Sequence, residues 1–293
     1  MKIERTKNAT RNIVFGVILK AYQIIVPFIM RTAMIYFMGV QYLGLNSLFT
    51  SILQVLNLAE LGVGSAMVYS MYKPIAEDDE ITICALLRLY KRYYFLIGLV
   101  IAVVGTAVTP FVPKLIKSGL PAGLNVYILY LMNLILTVLS YWLLAYKNSL
   151  LQAHQRTDVT SKVTILTNTV QYGIQILVIA ITKNYYLYVI VALVTQAITN
   201  IVTAIIATKM YPKYEPEGTL DKKVVKQINQ RIKDLFTAKL GGTIVNSADT
   251  IVISVFLGLS MLAIYQNYYY IMNSVDLHLL SLIHVLQELE IVW

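Results

Sequence analysis

The chain is poor in the residues from which soluble enzymes build their sites. A single cysteine, Cys84, excludes an internal disulfide and gives no sign of redox compartment. The three histidines, His154, His278 and His284, lie far apart, and no His-Glu-x-x-His pair, Walker-type loop or Cys/His cluster is present. Hydrolytic metal chemistry and phosphate-cradling loops therefore have no basis in the sequence, and no cofactor is expected. Charged residues make up only 13% of the 293, about half the quarter usual for a soluble domain. Acidic residues are scarce, and their one run, Glu77-Asp78-Asp79-Glu80, lacks a second cluster to complete a metal site, so it reads as a solvated loop.

What is present is apolar. Hydrophobic residues reach 58%, with a mean hydropathy of +0.67. They fall in runs of about 20, which match a hydrocarbon core of roughly 30 Å at 1.5 Å per residue. The expected fold is all-α, a polytopic membrane helix bundle. Spans are predicted at Ile13–Met38, Leu43–Tyr69, Tyr93–Val112, Leu124–Ala145, Val163–Ile181, Tyr186–Ala207 and Leu235–Leu257, and a broken eighth begins near Met261. The first follows a basic start, but it is too long for a signal-peptide core and no small-residue cleavage site follows.

Basic residues set the orientation, because lysine and arginine resist translocation. Nineteen of the 24 lie at the N-terminus or in the loops after spans two, four and six, against three (Lys114, Lys117 and Lys183) in the alternating loops. The remaining two, Lys20 and Arg31, lie inside span one. The N-terminus is thus expected in the cytoplasm. The same asymmetry explains the net charge of +9 without a nucleic-acid partner.

The longest loop opens with Pro212 and Pro216, which break the sixth helix. Val224, Val225, Ile228, Ile232, Leu235 and Phe236 then recur at helical spacing among lysines. Two readings stand: an amphipathic helix on the cytoplasmic face, or the start of span seven. Either divides the chain into an N-terminal lobe of six spans over 1–210, a linker over 211–234 and the start of a second lobe over 235–293. A faint repeat supports two lobes. Arg31-Thr-Ala-Met-Ile precedes Gly39 and Leu43-Gly-Leu much as Asp249-Thr-Ile-Val-Ile precedes Gly258 and Leu262-Ala-Ile. Internal repeats of this sort are common in secondary transporters.

Charges inside spans are costly, at least about 2.5–3.5 kcal/mol each on insertion scales, so they usually face a partner or a polar cavity. Lys20, Arg31, Glu60 and Asp249 qualify. Counted from the outer turn, Lys20 and Glu60 lie at one depth, roughly 28 Å down, which suggests a pair across the first hairpin. Arg31 and Asp249 lie roughly 12–14 Å below the outer side on corresponding helices. Structural ion pairing and a cavity for an anionic head group both remain open for these charges. A guanidinium suits the second, because its planar fork binds two phosphate oxygens. Pro27 should bend the same helix and free backbone carbonyls, a candidate hinge. Asn46, Gln54, Asn57 and Glu60 mark one side of span two, and Asn168, Gln171 and Gln175 form a stripe on span five. Such stripes either glue helices together or line a hydrophilic path.

The stretch from Tyr42-Leu-Gly-Leu-Asn-Ser-Leu-Phe through Asn57-Leu-Ala-Glu-Leu-Gly-Val-Gly-Ser-Ala-Met resembles the signature of bacterial polysaccharide flippases. Tyr72-Lys-Pro-Ile-Ala and Asp249-Thr-Ile-Val-Ile-Ser fit as well. The family is the oligosaccharide-flippase branch of the multidrug/oligosaccharidyl-lipid/polysaccharide exporter superfamily, and the resemblance runs from about Asn8 to Val275. It implies a MATE-like six-helix lobe followed by a truncated second lobe. It also implies transport of undecaprenyl-pyrophosphate-linked oligosaccharide from the inner to the outer leaflet by alternating access, in the bacterial cell membrane. Partners would be that lipid-linked substrate, membrane lipids and a coupling cation, H⁺ or Na⁺. The candidate cavity residues are Lys20, Arg31, Asn46, Asn57, Glu60 and Asp249. Three other readings are kept: a drug/cation antiporter or peptidoglycan-precursor flippase of the same fold, a membrane polysaccharide polymerase or glycosyltransferase, and a remnant that does not transport. The short outer loops speak against an enzyme.

From Asp276 to Trp293 the family pattern is lost. Leu286-Gln-Glu-Leu-Glu-Ile-Val-Trp can be back-translated as CTG CAG GAA TTG GAA ATA GTT TGG. Read two bases later, this string encodes Ala-Gly-Ile-Gly-Asn-Ser-Leu, which is similar to the family sequence expected there. The expectation is a frameshift near Asp276 that leaves the second lobe incomplete.

Overall fold

The computed structural model describes residues 5–60, 62–117 and 119–290. Ten α-helices follow one another among the described residues, and no strand occurs. They are α1 (Arg5–Phe37), α2 (Val40–Leu56), α3 (Val63–Ala76), α4 (Glu80–Val108), α5 (Val126–Trp142), α6 (Tyr146–Ala153), α7 (Thr157–Thr182), α8 (Tyr185–Met210), α9 (Lys222–Leu257) and α10 (Leu259–Glu290). Short 3-10 turns lie at Asn57–Glu60 and Thr109–Leu115. Asn125, Asn184 and Asp221 start α5, α8 and α9 by accepting backbone N–H bonds on their side-chain oxygens, which satisfies donors that a helix start leaves free.

Five helices are long and apolar enough to cross a membrane, or six if the α5–α6 pair, bent by 51°, is one span. The chain is an all-helical multi-pass membrane protein. Its outward surface agrees, since Ile13, Val17, Ile25, Val103, Leu166, Ile181 and Val245 are all exposed. Large apolar side chains on a helical exterior belong against lipid, not water.

The expected seven spans and broken eighth are corrected at two places. The second span is interrupted: α2 has 17 residues and α3 has 14, each shorter than the roughly 20 that a crossing needs. Gly62 lies between them at φ +94°, a left-handed conformation that a side chain would resist. A hydropathy average does not register that turn. The eighth region is unbroken, forming the continuous helix α10. The amphipathic stretch at 224–236 is the beginning of α9 itself, a single helix of 36 residues. The shifted tail has no counterpart to compare, because the side chains of 275–290 and all of 291–293 lie outside the described residues.

At the centre sits α2, which packs against α1, α5, α9 and α10. Its Leu45, Leu48 and Phe49 are fully buried, and Phe49 meets Tyr130 of α5 edge-on at 6.0 Å. The Tyr130 hydroxyl donates to the Gly105 carbonyl at 3.1 Å, which satisfies the polar tip of a buried ring. The second side of α2 receives α10, and this places the mouth of a polar cavity between α1, α2, α9 and α10.

Candidate functional site

This cavity has a volume of about 270 Å³. Its walls carry Arg31 from α1, Asn46, Ser47, Thr50, Ser51 and Gln54 from α2, Thr250 from α9, and Gln266, Tyr269 and Asn273 from α10. The composition follows from α2: its buried face is apolar toward α5, while its hydroxyl and amide residues turn toward α10. Arg31 is half-buried and, among the described residues, supplies the only formal charge on these walls. Its Nη1 donates at 3.4 Å to the Gln266 carbonyl and at 3.4 Å to Asn267 Oδ1, and its guanidinium lies 4.7 Å from the centre of the Tyr270 ring. Long hydrogen bonds and a cation–π contact hold the group in place without neutralising it.

Tyr270 also explains the role of Pro27. A proline at 27 has no N–H to give to the carbonyl of residue 23. The Tyr270 hydroxyl donates to the Gln23 carbonyl at 3.2 Å and to the Ile24 carbonyl at 2.6 Å. The gap that proline opens in α1 is thus closed from α10, beneath the arginine. Tyr270→Phe should cost about 1 kcal/mol in chemical unfolding, a typical net hydrogen-bond value. In a Pro27→Ala background, which restores the N–H, the same substitution should cost less. Equal costs in both backgrounds would refute the link.

Of the six expected cavity residues, Arg31 and Asn46 line this space. Asn46 Oδ1 also accepts from the Tyr185 hydroxyl at 3.2 Å. The other four lie elsewhere. Lys20 is exposed and forms no ion pair with Glu60, which corrects the pairing inferred from equal depth. Depth says nothing of direction, and the turn at 57–60 points Glu60 to α4. There it accepts from the Tyr94 hydroxyl at 3.3 Å, and Tyr94 in turn is bonded to the Tyr90 hydroxyl. Asn57 has a buried Oδ1 without a hydrogen-bond partner. Asp249 is exposed and accepts from the Tyr265 hydroxyl at 2.9 Å, so it does not meet Arg31. Its neighbour Thr250 lines the cavity instead and accepts from Gln266 Nε2 at 2.7 Å.

The polar stripe of span five borders a second cleft and also joins two helices. Asn168 and Gln171 line an uncharged cleft of about 350 Å³ with Thr199 and Asn200 of α8. One turn further, the buried Gln175 donates to the Tyr188 carbonyl at 2.9 Å and ties α7 to α8.

No protein-family model, curated protein or solved structure matches the chain.

One charged group escaped the sequence reading. Asp158, at the start of α7, is fully buried among Arg156 at 2.8 Å, Lys162 at 3.3 Å and Arg11 at 3.9 Å. Asn12 braces the same corner, donating to the Gln155 carbonyl at 2.9 Å and accepting from the Asp158 N–H at 3.0 Å. The signal available was an acid placed between basic residues at i−2 and i+4.

Proposed function

We propose that this chain is the N-terminal lobe and the beginning of the second lobe of a lipid-linked oligosaccharide flippase. Counting α2 with α3 and α5 with α6 as interrupted spans gives six crossings before Met210, the arrangement of a MATE-like lobe, and α9 and α10 open the next. The supporting observation is the cavity between α1, α2, α9 and α10, with one guanidinium among hydroxyls and amides. Arg31 suits a pyrophosphate, and the neutral donors and acceptors suit sugar hydroxyls. The resemblance of Tyr42 to Met67 supplies the substrate class, undecaprenyl-pyrophosphate-linked repeat units carried from the inner to the outer leaflet of the bacterial cell membrane. Glu60, held by Tyr94, is the carboxylate suited to a coupling proton.

The test is retention of a synthetic undecaprenyl-pyrophosphate-linked oligosaccharide by the detergent-purified chain, read by native mass spectrometry. Arg31→Ala should weaken retention at least about tenfold, the value of a hydrogen bond to a charged group. Arg31→Lys should fall between, since it keeps the charge and loses the fork. Equal retention by Arg31→Ala and the parent would overturn the reading.

A further inference from the structure

A second pocket, of about 460 Å³, lies on the far side of the bundle, where α4 meets α5 and the start of α6. It is built by a different logic from the Arg31 cavity. Arg88, Lys91, Arg92 and Phe95 recur at i, i+3, i+4 and i+7 on α4, so one helical face carries three cations followed by an aromatic ring. Trp142, the last residue of α5, and Tyr146 of α6 form the opposite wall.

The aromatic wall is fixed in place. Trp142 stacks on Phe95 at 5.5 Å and donates from Nε1 to the Phe95 carbonyl at 3.1 Å. Gly98 admits it, since a Cβ there would stand 2.3 Å from Trp142 Nε1. Both rings still show themselves to the outside, Phe95 at 59% and Trp142 at 41%.

The cations are not neutralised from within. Among the described residues none of the three forms an ion pair. Arg88 donates to the Gly218 carbonyl at 2.9 Å, and Lys91 lies 5.9 Å from the Tyr146 ring centre. Pro216 itself lines the pocket, so its neighbours Glu215 and Glu217 stand close by, bordering the adjacent groove with Cys84. The level in the membrane is set by the sequence of α4: the cations sit in the two turns before its apolar run begins at Phe95, on the basic side of the bundle. That is where tryptophan and tyrosine belt residues and phosphate head groups meet. A merely solvated basic face would have neither the concavity nor the locked rings opening toward lipid.

We infer that this pocket binds an anionic glycerophospholipid of the surrounding membrane, with its phosphate on Arg88, Lys91 and Arg92 and its glycerol-acyl end along Phe95 and Trp142. The site stands apart from the Arg31 cavity and does not rest on the flippase reading. Basic pockets between helices at the headgroup level attract such lipids, and each cation near the surface adds to the attraction.

Trp142 is one of two tryptophans in the chain, so it can report on its own site. Trp293→Phe leaves it alone. This variant would be reconstituted in phosphatidylcholine vesicles that carry a minor fraction of brominated phosphatidylglycerol or, in parallel, the same fraction of brominated phosphatidylcholine. Brominated phosphatidylglycerol should quench Trp142 with an apparent preference of about five- to tenfold over the neutral lipid, as expected for several cations at the headgroup level. Arg88→Gln/Lys91→Gln/Arg92→Gln should abolish that preference, whereas Lys114→Gln on the opposite side should leave it intact. If the triple variant does not fold, Lys91→Gln and Arg92→Gln singly should each reduce the preference. Equal quenching by the two lipids, or a preference that survives these substitutions, overturns the inference. A preference abolished by inorganic phosphate would reassign the site to free phosphate and overturn the lipid assignment.

Discussion

Asp158→Ala is expected to be the most damaging single substitution away from the cavity, with a loss of about 3–5 kcal/mol in chemical unfolding. The carboxylate is fully buried and answers three cations, Arg156, Lys162 and Arg11. Removing it leaves partly buried positive charges facing one another at the point where α1 meets the start of α7. The cost comes from those orphaned cations more than from a lost attraction. A double variant separates the two: Asp158→Leu with Arg156→Met removes the closest pair together and should lose less than Asp158→Ala alone. If the double variant is as unstable as Asp158→Ala, the buried-charge account fails. Asn12 would keep the corner partly in place in both, through its bond to the Gln155 carbonyl.

Gly44→Val should be nearly as costly, for a steric reason. A Cβ at 44 would stand 2.1 Å from the Leu259 carbonyl oxygen and 2.8 Å from its carbon. Both are backbone atoms at the start of α10, so nothing flexible can move aside. Accommodating the side chain means pushing α10 off α2, and overpacking of this kind costs about 1–3 kcal/mol or more. The same displacement opens the Arg31 cavity, because Gln266, Tyr269 and Asn273 travel with α10. Gly241→Ala is the control. Nothing lies within 4 Å of its Cβ position, and it sits inside α9, so the change should be neutral or stabilising by up to about 1 kcal/mol. Thermal unfolding of the three proteins checks the order, and a Gly44→Val midpoint equal to that of the parent would contradict the close approach.

The helical bundle was legible because long apolar runs have one physical reading in a chain so poor in charge. The interruption of span two was not, since it depends on one backbone conformation at Gly62, and glycine in a hydrophobic window costs little on any hydropathy average. The continuity of α10 was not legible either, since the pattern that fades after Val275 is one of side chains, whereas a helix is held by its backbone. Within the site, Arg31 stood out as a cation deep in a span. The Lys20–Glu60 pairing failed because counting residues gives height along a helix and not the direction a side chain faces after a turn. Asp158 was hidden by the tally of basic residues behind the expected orientation, in which its three partners counted as topological charges. The α4 cations were hidden in the same way, and only the approach of Trp142 turns them from a loop signal into a pocket.

Helix α9 has a mechanical consequence. At 36 residues it measures roughly 54 Å, well beyond the 30 Å of a hydrocarbon core. It is fastened near both ends. Ser254 Oγ donates to the Leu115 carbonyl at 2.6 Å, and Lys117 Nζ to the Phe256 carbonyl at 2.6 Å. Toward the other end, Asn229 Oδ1 accepts from the Tyr93 hydroxyl at 2.6 Å, and Arg231 lies 4.1 Å from the Tyr69 ring centre. Between these fastenings, Gly241 and Gly242 have nothing packed within 4 Å of their Cβ positions. A strut pinned at two points and loaded along its length bows at its weakest cross-section. Here that section is the glycine pair, where helical propensity is lowest. Any shift of α3 and α4 relative to the opposite end of the bundle would therefore be absorbed as curvature at one known place along α9.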